Sequence, residues 1–147
     1  MNQSKRFGRA LRGLAGMIVW VHEFDEGARN AGLSRQHLQD TVVIKLLDSG
    51  IRALGIGNVP EPPGNPWLNI FVGTTSRDDL FFYAVTVRLD EIVWLDRNRN
   101  FKTIATTWEV NATGSAMKAA FPRQSEKAVD ELVDYFIYDY QTANPRK

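Results

Sequence analysis

The chain has no cysteine, which excludes disulfides, thiol nucleophiles and thiolate metal sites. Its only histidines are His22 and His37, which leaves little for imidazole chemistry. No stretch reaches the roughly 18 apolar residues that a membrane-spanning helix needs. No catalytic or phosphate-binding motif is recognisable. Residues 1–12 lack any acid but hold Lys5, Arg6, Arg9 and Arg12. With a net charge of +1, the remainder is therefore mildly acidic, which argues against nucleic acid as a partner. What remains is an ordinary globular composition, 44% hydrophobic and 24% charged, and a length of 147 residues that suits one domain with a proper core.

The strongest positive pattern is C-terminal. Over residues 125–143, Val129, Leu132, Val133, Phe136, Ile137 and Tyr140 form one unbroken helical stripe. A second helix is expected over 35–48. Ser34 suits its N-cap, Leu33 and Leu38 stand at the two positions of a hydrophobic staple, and Val42, Val43, Leu46 and Leu47 form its apolar stripe. Gly50 follows as a left-handed residue, letting Ile51 fold back on Leu46.

Residues 17–24 read as a strand, with Ile18, Trp20, His22 and Phe24 on one face and Met17, Val19, Val21 and Glu23 on the other. Two apolar faces suggest an inner strand. A polar connection is expected over 25–32 and a short strand over 51–54. Residues 55–66, with four prolines and three glycines, form a surface loop. Three strands follow. The first, 67–75, has Leu68, Ile70 and Val72 on one face. The second, 80–89, presents Phe81, Tyr83, Val85, Val87 and Leu89 and continues towards Leu95. The third, 102–110, presents Ile104, Thr106, Trp108 and Val110. Hairpin-like connectors at 75–79 and 96–100 imply antiparallel pairing.

The expectation is therefore an α+β two-layer sandwich, order β-α-β-β-β-β-α. Its sheet is mainly antiparallel, of four to five strands, with helices 35–48 and 125–143 on one face. Met17, Val19 and Val21 are expected on the opposite, helix-free face. The basic start followed by residues 14–21 has the order of a signal peptide, but residues 17–24 alternate as a strand should. No small-residue cleavage site follows them. Residues 1–12 are expected to be a basic, flexible arm and 13–147 a single domain.

Each candidate for chemistry meets a structural objection. His22-Glu23 lacks the second histidine of a helical zinc motif. Asp96, Asn98 and Asn100 open like a calcium loop, but Phe101 and Thr107 stand where glycine and a bidentate acid belong. Gly55-Ile56-Gly57 meets Pro60 in place of a third glycine. Gly114-Ser115-Ala116 lacks the second glycine of a nucleophile elbow. Glu126, Asp130 and Asp134 line one helix face, as solvated acids do. Asn111-Ala112-Thr113 has the form of a glycosylation sequon. No metal, cofactor or catalytic residue is expected.

Among the tryptophans, Trp20, Trp67 and Trp108 fall in strands, where burial is the default. Trp67 is the most suggestive of a surface role, because it ends the proline-rich loop and shares a face with Asn69. The candidate binding surface is Trp67 and Asn69 with loop 55–66, joined by loop 111–121 with Met117 and Phe121.

Several short stretches belong together: Leu11-Arg12-Gly13-Leu14, Ala31-Gly32-Leu33-Ser34, Asp48-Ser49-Gly50-Ile51-Arg52, Thr106-Thr107-Trp108, Val133-Asp134-Tyr135-Phe136 and Ala143-Asn144-Pro145. On these the chain resembles a group of bacterial, usually exported proteins of unknown function, over roughly residues 11–145. In layout it is similar to the lipopolysaccharide-transport lipoprotein and to the N-terminal domain of the Tol-Pal translocation protein. The resemblance implies a periplasmic or otherwise extracytoplasmic location and a protein-binding role; the alternative location is cytoplasmic. The functional expectation is a non-enzymatic binding or assembly module. Its alternative is a small-molecule or lipid-binding domain with a pocket between helices and sheet.

Overall fold

The computed structural model describes residues 2–5, 7–54 and 66–146, with backbone only at 2–5. The chain is an α+β sandwich, one mixed sheet under a layer of helices. Its elements are β1 (Asn2–Lys5), a 3-10 turn (Gly8–Leu11), β2 (Met17–Val21), α1 (Glu26–Asn30), α2 (Arg35–Asp48), β3 (Ala53–Leu54), β4 (Trp67–Arg77), β5 (Leu80–Leu95), β6 (Asn98–Met117) and α3 (Phe121–Ala143). The described strands form a six-stranded sheet in the order β1-β6-β5-β4-β2-β3.

The sheet is mainly antiparallel, as expected, but it is mixed. Strands β4, β5 and β6 are an antiparallel meander, and β1 is antiparallel to β6. Strand β2, however, runs parallel to both of its neighbours, β3 and β4. The cause is α2. A helix spanning the sheet returns the chain to its starting end, so β3 re-enters parallel to β2.

Helix α2 forms over the expected residues. Ser34 Oγ accepts the His37 amide at 3.2 Å, and Leu33 and Leu38 are both buried. At its end Gly50 takes φ +80, while the Ile51 amide donates to Leu46 O and the Gly50 amide to Leu47 O, each at 3.0 Å. These are the two bonds of a Schellman cap. Its buried stripe is Leu38, Val42 and Leu46, whereas Leu47 faces solvent.

Helix α3 starts four residues before the expected 125, with Pro122 in its first turn. Proline there loses no helical hydrogen bond. Ser125 is thus inside the helix, buried, with its hydroxyl donating to Phe121 O at 2.8 Å. The polar segment 25–32 also contains a helix, α1. Asp25 caps it by accepting the Ala28 amide at 2.9 Å, and accepts the Thr74 hydroxyl as well.

The two five-residue connectors shrink to two-residue turns, Asp78-Asp79 and Asp96-Arg97. The segment expected as loop 111–121 is instead the end of β6, a short turn, and the start of α3. Between Leu89 and Asp90 the β5–β6 register shifts: Leu89 opposes Trp108, but Asp90 opposes Thr106. Thr107 is the extra residue of a bulge. The bulge splits the expected stripe, so Trp108 and Val110 enter the core while Ile104 is exposed.

The core lies between the sheet and helices α2 and α3. Register places Met17, Val19, Val21, Leu68, Ile70, Val72, Val85, Val87 and Leu89 on this side. The expectation for β2 is therefore reversed, since Met17, Val19 and Val21 face the helices. Trp108 is fully buried and meets Phe136 edge-on at 5.0 Å. Its indole N–H donates to the buried Asp139 at 2.8 Å.

The N-terminal residues are not a free arm over their described part. Strand β1 pairs with β6, and Leu11 lies wholly in the core. Asn144 stitches this segment to the end of α3. Its Nδ2 donates to Leu11 O at 2.9 Å, and its Oδ1 accepts the Gly13 amide at 2.7 Å.

Candidate functional site: the open face of the sheet

No described helix covers the other side of the sheet. By register it carries Ile18, Trp20 and His22 from the β2 segment, with Trp67, Asn69, Phe71, Gly73 and Thr75 from β4. From β5 and β6 come Leu80, Phe82, Ala84, Thr86, Arg88, Asp90, Glu109, Asn111, Thr113, Ser115 and Met117.

The centre of this face is a bonded polar row. His22 Nε2 lies 3.0 Å from Asn69 Oδ1, with the imidazole N–H donating. Asn69 Nδ2 donates to Asp90 Oδ2 at 2.7 Å. Asp90 also accepts Arg88 Nε at 2.8 Å and the Thr106 hydroxyl at 2.5 Å. Asp90 thereby fixes Asn69, and Asn69 fixes the histidine ring. An amide between imidazole and carboxylate transmits orientation, not protons, so this row is a scaffold.

Aromatic rings stand around the row. His22 stacks on Phe71 with centroids 4.0 Å apart. Trp20 meets His22 edge-on at 6.1 Å and Trp67 edge-on at 6.3 Å. Two guanidinium groups sit over this platform, Arg35 over Trp20 at 4.3 Å and Arg88 over Phe71 at 4.7 Å. Arg35 is held in place because its Nε also donates to Val21 O at 2.6 Å. The result is a half-exposed patch of rings and delocalised cations, a surface chemistry found at binding hot spots.

The residues expected at the binding surface separate. Trp67 is half-buried in the aromatic cluster, and Asn69, only 9% exposed, is its polar centre. Met117 is exposed on the same face but at the far end of the sheet, opposite Leu80. Strand β4 runs from Trp67 to Arg77, roughly 33 Å, between the two places. Phe121 is a correction: it has no exposed surface and packs against Phe81 at 5.0 Å, on the helix side. Loop 55–66 lies outside the described residues except for buried Pro66, whose carbonyl accepts the Ile18 amide at 3.0 Å. Trp20, His22, Phe71, Arg35, Arg88 and Asp90 complete the site. A signal for three of them was present: His22 marks its face of β2 as the wetter one, that face carries Trp20, and alternation along β4 puts Phe71 on the face of Trp67 and Asn69.

Elsewhere, of the three acids expected on the solvated face of the last helix, Asp130 and Asp134 are half exposed and share one lysine. Lys45 Nζ lies 2.7 Å from both Asp130 and Asp134, tying α2 to α3. Desolvation pulls the Lys45 pKa down, but the hydrogen bonds and charges of the two aspartates outweigh it and raise it. Among the described residues, no group of three or more His, Cys, Asp or Glu side chains could hold a metal. None of their helices is long and apolar enough to cross a membrane.

No protein-family model matches this chain, and no curated protein matches it. The class of the molecule thus rests on its own geometry, an α+β sandwich with one helix-covered sheet face and one that no described helix covers.

Proposed function

We propose that this domain is a non-enzymatic binding or assembly module, which takes up a protein partner on the open face of its sheet. The bacterial envelope is the compartment that the resemblance implies. One observation carries the reading: the sheet face that no described helix covers holds an ordered aromatic cluster at its β2 end, and Leu80, Phe82 and Met117 stand exposed at its far end. Exposed apolar surface of this extent marks interaction sites. A second route on the same module is strand addition. Strand β1 pairs with β6 only between Glu109 and Asn111, so no described strand pairs the outer edge of residues 112–117. The alternative, a ligand pocket between helices and sheet, is less favoured. The depression of about 820 Å³ between α3 (Glu131, Leu132, Tyr135) and strands β5 and β6 (Val85, Ala112) is half open to solvent at the sheet's edge, and the cleft between α2 and α3 holds only about 40 Å³.

The test is affinity capture from a fractionated lysate with three proteins: wild type, Trp67→Ala with Phe82→Ser, and a control, Ile44→Ser, on the outer side of α2. A stoichiometric partner retained by wild type and control but lost with the open-face variant supports the reading. Equal capture by all three removes it.

A further inference from the structure

Strand β4 begins at Trp67, opposite Asp90. Beyond that row, β5 and β6 continue together, with Glu91 opposite Ala105, Ile92 opposite Ile104 and Trp94 opposite Lys102, before turning at Asp96-Arg97. Residues 91–105 are thus a two-stranded arm reaching past the other four described strands of the sheet. A two-stranded ribbon buries little of its own side-chain surface. Its side chains should therefore be polar, yet several are not. Ile92 is 37% exposed, Trp94 56%, Phe101 55% and Ile104 70%. Trp94 is the most exposed of the four tryptophans. Register puts Ile92, Trp94 and Ile104 together on one side of the ribbon, and Val93 leaves on the other.

The distal part of the arm is cationic. Arg97, Arg99 and Lys102 stand there against the single acid Asp96, which Arg99 engages at 2.9 Å. Lys102 Nζ lies 4.8 Å from the Trp94 ring centroid, so a cation and the arm's largest apolar group are held side by side. The acid at the root, Glu91, accepts the Thr107 hydroxyl at 2.6 Å and points its charge back at the bulge.

From this we propose that the arm 91–105 docks onto an anionic lipid bilayer, with Trp94, Ile92, Ile104 and Phe101 entering the headgroup region. Arg97, Arg99 and Lys102 would meet lipid phosphates. Three features favour a bilayer over a protein face. The apolar groups are on a narrow projection with apolar residues on both sides, which a fluid interface surrounds and a flat partner does not. Tryptophan, apolar with one N–H donor, is the side chain that favours the bilayer interface. The charge has the sign that anionic headgroups attract, and apolar insertion plus cationic attraction is the combination that binds proteins to such surfaces.

The test uses the full chain and vesicles of phosphatidylcholine with a minority of phosphatidylglycerol, at low and moderate salt. Wild type should co-sediment with the anionic vesicles and not with pure phosphatidylcholine, and its tryptophan emission should shift to the blue. Arg97→Gln with Arg99→Gln should weaken binding roughly 30-fold, about five-fold per cation. Trp94→Ser with Ile104→Ser should abolish it. Trp94→Phe should keep binding and lose most of the blue shift, a result that general misfolding does not produce. Failure of wild type to bind anionic vesicles overturns the proposal. So does binding that the arm variants leave unchanged. If the arm variants instead break up a dimer or a captured protein complex, the arm is a protein interface and the lipid assignment is wrong.

Discussion

Replacing Asp90 by alanine should lower stability by about 2 kcal/mol, and the structure says where that cost arises. Three donors converge on its carboxylate. The Asn69 amide is the costly one, because Asn69 is only 9% exposed and its N–H would be left without an acceptor. Stranding a buried donor costs about 1–3 kcal/mol. The Arg88 pair adds little, about 0.2–1 kcal/mol, since 39% of the Arg88 side chain is already in water. Thr106 is exposed, so its hydroxyl turns to solvent at almost no cost. For a chain of this size, about 2 kcal/mol should lower Tm by about 4–8 °C. Asp90→Asn keeps one carbonyl oxygen for Asn69 and should cost about half as much. The assay is urea unfolding followed by tryptophan fluorescence, run as a double-mutant cycle with Asn69→Ala. In the Asn69→Ala background the cost of losing Asp90 should shrink by about 1–2 kcal/mol. Equal cost in both backgrounds, or a cost below about 0.5 kcal/mol in the wild type, would show that Asp90 is a solvated surface acid and does not organise the open face.

Other expectations follow from single contacts. Phe121→Ala should cost about 3–5 kcal/mol, because the ring is fully buried, whereas exposed Met117→Ala should stay within about 0.5 kcal/mol in the same thermal melts. Gly114→Ala should cost about 1–3 kcal/mol by calorimetry, because a Cβ there would stand 2.5 Å from the Tyr83 ring carbon Cζ and force the ring off the strand. The Lys45 pKa is raised in the fold, so its contribution is fully present below the unfolded lysine pKa and is lost as pH rises through the folded value. Lys45→Gln should flatten that alkaline loss in pH-dependent melts. The Asp25 pKa is subject to desolvation, which raises it, but the bonds from Thr74 and the Ala28 and Thr74 amides outweigh this and lower it. Its contribution is therefore present above the unfolded carboxylate pKa and is lost as pH falls through the folded value, and Asp25→Ala should remove that acid limb.

Much of the layered fold was legible because its signals are local. The cap, staple and Schellman end of α2 all lie within residues 33–51, and each fixes a neighbour three to five positions away. The alternation of β4 and β5 likewise names their inner faces. What was not legible depends on distant partners. Which face of β2 lies inward is set by α2 and α3. The apolar character of Ile18 and Trp20 hid this, although His22 pointed to the answer. The bulge at Thr107 depends on how β5 meets β6, so no pattern within β6 alone could show that Ile104 and Trp108 part company. Phe121 looked like a loop residue because Pro122 follows it, and proline is as much at home in the first turn of a helix as in a loop. The polar row and its rings were half visible. Trp67 and Asn69 were found from the strand that carries them, while Asp90 and Arg88 join them only through strand pairing.

The parallel placement of β2 has a consequence for the order in which this chain folds. Strands β4, β5 and β6 are joined by two-residue turns, so their pairing closes the shortest loops in the sheet. Strand β2 sits between β3 and β4, and Ile18 meets Trp67 only after α1, α2 and β3 have been traversed. Closing that larger loop must be repaid by contacts with a surface that already exists. The meander should therefore nucleate and β2 insert late, giving φ-values near 1 at Val87 and near 0 at Val19. Because β2 supplies Trp20 and His22, the open face becomes complete only in that last step. A chain caught before it would carry its meander and its exposed arm but only the β4 and β5 part of the aromatic platform.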